Sequence, residues 1–241
     1  MFRHQGKTRT LKHNLQIASL LSFVAGLVNV AGFLAVQKLT TNVTGHFAFF
    51  VDEVFQLHFW NGFVYFLYIF FFLLGAFFSN FLLELKIKNH RAGIYTFPVI
   101  LEICILLTVA IAGNYWTATS PNTVAYSLLF AMGLQNALVT KISNATVRTT
   151  HLTGLFTDLG IELSQLFFYK LPTQKEQLLS SIRLRLTIIS FFFIGGIVGG
   201  LFYGSLHLKV LLIAAVTLGI GLIYDVLKVR LLELHRKLHL H

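Results

Sequence analysis

The feature that most constrains this chain is its alternation of long apolar runs with short charged ones. A helix needs ~20 residues to cross ~30 Å of hydrocarbon. Six runs qualify, at 15–36, 61–83, 94–112, 123–140, 186–206 and 209–227. Composition points the same way: 56% of the 241 residues are apolar and 12% charged, about half the ~25% of ordinary globular proteins. Too few polar side chains remain to cover a water-facing surface, so much of the surface must face lipid. A soluble enzyme, a disordered chain and a secreted disulfide scaffold are thereby excluded. Cys104 has no second cysteine to pair with in the chain.

Charge supplies the orientation. The formal net charge of +10 does not read as a nucleic-acid footprint, because the cations sit between the apolar runs. Residues 1–14 hold four, 84–92 three, 141–185 six and 226–241 four. If six spans alternate, 17 of the 19 cations fall on one side, with only Lys38 and Lys209 opposite. The positive-inside rule then places both termini in the cytoplasm. The first run exceeds the 7–15 residues of a signal-peptide core, so it reads as a retained span. The basic tail from Asp225 reads either as a helix resting on the anionic inner leaflet or as a solvated helix end.

The chain also repeats itself. G-L-V-N at 26–29 matches G-L-Q-N at 133–136, and T-T-N-V-T-G at 40–45 matches T-T-H-L-T-G at 149–154, followed by Glu53 against Glu162. Gly75 to Ser79 (G-A-x-x-S) matches Gly195 to Gly199 (G-G-x-x-G). The offsets rise from 107 to 109 to 120, which places an inserted basic loop around 167–183. Three spans per copy is an odd number, so the second copy enters from the opposite side of the membrane. The expected fold is all-α and polytopic: six transmembrane helices in two inverted three-span repeats, each with a re-entrant or short half-helix after its first span. The boundaries are a basic N-terminus over 1–14, repeats over 15–113 and 122–227, and a basic tail over 228–241.

These same motifs carry a family resemblance. G-L-V-N-V-A-G-F, T-N-V-T-G-H, A-M-G-L-Q-N-A-L-V and V-R-T-T-H-L-T-G-L-F-T-D-L resemble the YoaK-like family of bacterial inner-membrane proteins, over roughly residues 15–227. The resemblance implies a bacterial inner-membrane location and supplies no substrate, since the family's function is unknown. The family usually carries Asp at the position of Asn29 and Asn at that of His46, so a carboxylate role at 29 is unavailable here.

The chemistry-bearing residues gather in the Thr-Gly motifs. Seven extended residues from Lys38 to Thr44 reach up to ~23 Å at ~3.3 Å each, and a half-helix from Gly45 to His58 climbs back ~20 Å. Thr40, Thr41, Asn42 and Thr44, followed by Gly45 and His46, supply hydroxyls and an amide for backbone exposed at that depth. The second copy offers Arg148, Thr149, Thr150, His151, Thr153 and Gly154, with a half-helix reaching about Phe168. Two half-helix N-termini approaching one another form an anion-attracting or dipolar site; caps on two interfacial helices are the other reading. Asn29 and Asn136 occupy matching places on the first and fourth spans and either contact the turns or hold helices together. Gly26, Gly133 and the small-residue stripes read as helix contacts.

Glu102 lies centrally in 94–112, where a carboxylate is expensive enough to be functional by default. It and Asp158 are the candidates for proton coupling, and a structural hydrogen bond is the alternative for Glu102. There is no H-E-x-x-H, Gly-x-Ser-x-Gly, P-loop or cysteine pair, so no catalytic residue, metal or cofactor is expected. The expected function is a permease or channel for a small polar or anionic solute, in contact with lipid and open to pairing as a homodimer. A membrane scaffold or assembly factor without transport is the alternative.

Overall fold

A computed structural model describes residues 10–88 and 95–238. The elements, in order, are α1 (Leu11–Val36), α2 (Thr44–Phe55), α3 (Phe59–Lys88), α4 (Thr96–Thr119), α5 (Pro121–Ser143), α6 (Leu152–Gln165), α7 (Pro172–Leu206), a 3-10 turn (His207–Val210) and α8 (Leu211–Leu238). Among the described residues there is no strand. Among the described residues, five stretches are long and apolar enough to cross a membrane: Leu11–Val36, Phe59–Ile87, Thr96–Thr119, Pro121–Ser143 and Pro172–Leu227. The last is 56 residues, or ~84 Å at 1.5 Å per residue, more than one crossing requires. It is divided at His207, whose φ of 48° breaks α7 from α8.

Helix boundaries follow local chemistry. Pro121 and Pro172 open α5 and α7 at a position where the missing N–H costs nothing. Gln37 after α1 and Asn144 after α5 both take left-handed backbone, with φ of 53° and 52°, and turn the chain back toward the helix just left. One residue, Ser120, links α4 to α5.

The basic loop expected around 167–183 is corrected by the structure. Only 166–171 separates α6 from α7, and the inserted residues form the first turns of a 35-residue helix. The reason is that Pro172 starts it, Gln, Lys, Glu, Leu and Arg favour it, and Leu178 and Ile182 bury one face of it at helical spacing. In the tail, α8 continues to Leu238 without a break. The basic side chains assigned to 1–9 and 228–241, and residues 89–94 of the second basic segment, lie outside the described residues.

Packing is pairwise. α1 lies along α7 and α3 along α5; α4 packs on α5 and α8, α8 on α1, α2 on α3 and α6 on α7. The two main pairs close on backbone. A Cβ at Gly26 would collide with the Phe192 carbonyl, and one at Gly195 with the Phe23 carbonyl. Likewise Gly75 faces the carbonyl of Phe130, and Gly133 that of Phe72. Outward, α3 exposes Phe63, Phe66, Phe70, Phe77 and Phe81 at helical spacing. Such a face is compatible with lipid and unfavourable in water.

Gly26→Ala and Gly195→Ala should therefore each destabilise the protein by about 2 kcal/mol or more, because a methyl group must push two backbones apart. Gly204 and Gly219 have open space around them, and their replacement by Ala should cost nothing. Thermal unfolding in detergent, followed by tryptophan fluorescence, checks both expectations.

Candidate functional site: two polar turns and a buried carboxylate

After α1 ends at Val36 the chain doubles back along it. Thr40, fully buried, donates from Oγ1 to the Val28 carbonyl at 3.2 Å, and Thr41 donates to Asn29 Oδ1 at 2.7 Å. Asn29 lies seven residues before the end of α1, so the turn returns ~10 Å into the helix layer. That is about half the descent the extended length permits. The second turn does the same after α5. Thr150 Oγ1 donates to Asn136 Oδ1 at 3.0 Å, and Gln135 Nε2 donates to the hydroxyl of the buried Thr149 at 3.2 Å. Backbone placed at such depth is tolerated only where side chains of this kind satisfy it or where water reaches it.

The remaining motif residues divide. Thr44 and Thr153, in the first turns of α2 and α6, are exposed, while Asn42 is half-buried. Gly45 lies under Leu39, and Gly154 under the His151 ring, so a Cβ at either position would clash. His46 is buried, donates from Nε2 to the Leu39 carbonyl at 2.5 Å, and has no partner for Nδ1 among the described residues. Its ring lies 4.7 Å from that of Tyr68, whose hydroxyl donates to Asn122 Oδ1.

The two turns are not side by side. Gln135 Nε2 also donates to the Leu21 carbonyl at 3.0 Å, and Leu128 sits where a Cβ of Gly32 would project, so α1 and α5 run antiparallel. Asn29 is eight residues beyond Leu21, which separates the two Asn–Thr levels by ~12 Å along the axis.

Charge collects at the second turn. Arg185 on α7 donates from Nη1 to Asp158 and from Nε to Glu162, both at 2.8 Å, and Ser181 donates to Glu162 at 2.6 Å. Asp158 is thus ion-paired through Oδ2, with its side chain half exposed. Next to this cluster lies a cavity of about 390 Å³, walled by the 145–148 loop, the start of α6 and the third and fourth turns of α7. Arg148, His151, Thr146, Asp158, Ser181 and Arg185 are among the residues lining it. At the corresponding end of α2, Glu53 accepts from His58 at 3.2 Å and from Asn61 at 3.1 Å, and Phe49 stacks on Tyr65 at 5.3 Å.

Glu102 is fully buried in α4, and neither carboxylate oxygen has a hydrogen-bond partner among the described residues. Gln135 Oε1, Ser22 Oγ and Ser79 Oγ are buried and unpartnered as well. Ser22 adjoins Leu21, which Gln135 touches. From Ser120, Glu102 is 18 residues down α4 and Gln135 15 residues down α5, ~27 and ~22 Å respectively. Glu102, Gln135 and Ser22 therefore share one layer of the bundle. Gln135 and Arg185 were not singled out from sequence: Gln135 faces Val28 in the repeat alignment, and Arg185 looked like one more loop cation.

Each Asn–Thr pair is expected to show a coupling of about 0.6–2 kcal/mol. Double-mutant cycles with Asn29→Leu and Thr41→Val, and with Asn136→Leu and Thr150→Val, measure it as thermal stability. Coupling near zero in both would mean the turns are held by other contacts.

Comparison with known proteins bears on membership. No curated protein and no solved structure matches the chain. The family model described as a protein of unknown function (DUF1275) matches residues 17–224, and the chain belongs to that family.

Proposed function

We propose that this protein is a six-span permease or channel of a bacterial inner membrane, built from two inverted repeats and passing a small polar or anionic solute. The YoaK-like motifs are the finer family reading that goes with it. The observation that carries the proposal is the return of two polar turns into an apolar bundle, each tied to its own span by the same residue types.

The repeat is supported by contacts as well as by motifs. Thr40 with Val28 corresponds to Thr149 with Gln135, and Asn29–Thr41 to Asn136–Thr150. Glu53–Asn61 corresponds to Glu162–Ser181, and Gly26 on Phe192 to Gly133 on Phe72. Each correspondence uses two of the offsets 107, 109 and 120 found in the sequence. Six spans follow when α7 and α8 are counted separately, and both termini then lie with the cations.

In this reading the solute passes between the turns, where α1 meets α5. Glu102, fully buried with no hydrogen-bond partner among the described residues, is the group assigned to proton exchange in step with the solute. A scaffold without flux is the second reading, favoured by one observation: the Asn–Thr pairs bond to each other and leave few free donors.

Purified protein in liposomes, screened over metabolite classes with and without a pH gradient, separates the readings. Saturable uptake of a polar or anionic solute is expected. Glu102→Gln should remove stimulation by the gradient while leaving the folded yield unchanged. Flux equal to that of empty liposomes across the panel would leave the scaffold.

A further inference from the structure

The cavity beside the second turn holds two opposite charges that do not neutralise each other. Arg148 forms no ion pair or hydrogen bond among the described residues, although it shares the cavity with Asp158. Asp158 accepts from Arg185 through Oδ2, and its side chain is 49% exposed. Arg185 serves two carboxylates at once, those of Asp158 and Glu162, so this cluster carries one negative charge in excess. Arg148 balances that excess from elsewhere on the cavity wall. Glu162 is not among the cavity-lining residues, but counted with it the cluster and Arg148 carry no net formal charge, with Arg148 at one pole and Asp158 at the other.

Packing does not require these charges. At the offsets 109 and 120, Arg148, Asp158 and Arg185 correspond to Leu39, Phe49 and Tyr65. There Phe49 stacks on Tyr65 where Asp158 pairs with Arg185. The same joint between half-helix and long helix is thus made once from aromatic rings and once from ions. Arg148 is exposed, two residues from the bond between Thr150 and Asn136, and lines the cavity, so its guanidinium is open to a ligand entering from water.

We propose that this cavity binds a small zwitterion with the size and chemistry of a free α-amino acid, Arg148 taking the carboxylate and Asp158 the ammonium group. About 390 Å³ is ample for such a molecule. His151 and Thr146 offer further hydrogen-bonding groups on the same wall. A simple anion would meet Asp158 and a simple cation would meet Arg148, whereas a molecule carrying both charges satisfies each pole. The assignment rests on the reading of this cavity as part of the solute path, and it makes the solute class specific.

Isothermal titration calorimetry on the full chain in an uncharged maltoside detergent tests it, with a panel of amino acids as probes and propionate and ethylamine as singly charged controls. At least one amino acid should bind saturably, with each control at least about tenfold weaker. Arg148→Gln should weaken binding by about tenfold or more, and Arg148→Lys should restore most of it. Because Arg148 has no partner to lose, these variants should fold as the parent does. Asp158→Asn should also weaken the amino acid while leaving propionate unaffected or tighter. No saturable binding by any amino acid, propionate binding as tightly as the amino acid, or binding indifferent to Arg148→Gln would overturn the proposal. So would a response to phosphatidylethanolamine alone, which would make a lipid headgroup the occupant. Amino-acid binding without liposome flux keeps this site and removes the transport reading; flux of a solute without zwitterion binding does the reverse.

Discussion

The contact on which the rest depends is between backbones. Gly26 and Gly195 let α1 and α7 touch through the carbonyls of Phe192 and Phe23, and Gly75 and Gly133 do the same for α3 and α5. In an apolar solvent there is no hydrophobic gain in burying one Leu against another, so close van der Waals approach has to supply the association. The two pairs fix the relative height of the helices. Each turn bonds to its own span within that frame, Thr40 and Thr41 to Val28 and Asn29 of α1, Thr149 and Thr150 to Gln135 and Asn136 of α5, and Gln135 joins the two spans through the Leu21 carbonyl.

The halves share geometry and differ in chemistry. The first half closes around His46, Tyr65 and Tyr68, with Phe49 stacked on Tyr65. The second places Arg185 between Asp158 and Glu162 and leaves a polar cavity beside Arg148. In the proposed reading, a repeat that is mainly aromatic at one joint and ionic at the other gives a solute different surroundings on the two sides. Glu102 adds a third asymmetry, since the second half has no charge at the equivalent depth.

Much of this was legible in the sequence, for identifiable reasons. Uninterrupted apolar runs mark helices because lipid cannot satisfy backbone, and α1, α3, α4 and α5 lie where those runs are. The Thr-Gly motifs pointed to the turns because they recur in order with Asn29 and Asn136. What the sequence did not display was the partner of each group. Thr44 and Thr153 look equivalent to Thr40 and Thr149 as letters, but they sit past the turn and are exposed. The stretch 167–183 looked like a loop because it is charged; its helical spacing of Leu178 and Ile182 becomes meaningful only once α6 is there to pack against. Gln135 and Arg185 gained their importance from positions 114 and 23 to 27 residues away, which no local pattern records.

The central claim is that the two halves are inverted, which requires the α4–α5 link and the α6–α7 loop to lie on opposite sides of the membrane. Single cysteines at Thr119 and Gln174, each in a Cys104→Ala background, answer this with a membrane-impermeant maleimide applied to right-side-out and inside-out vesicles. The account predicts labelling of position 119 only from outside and of position 174 only from the cytoplasmic side. Labelling of both positions from the same side would contradict it.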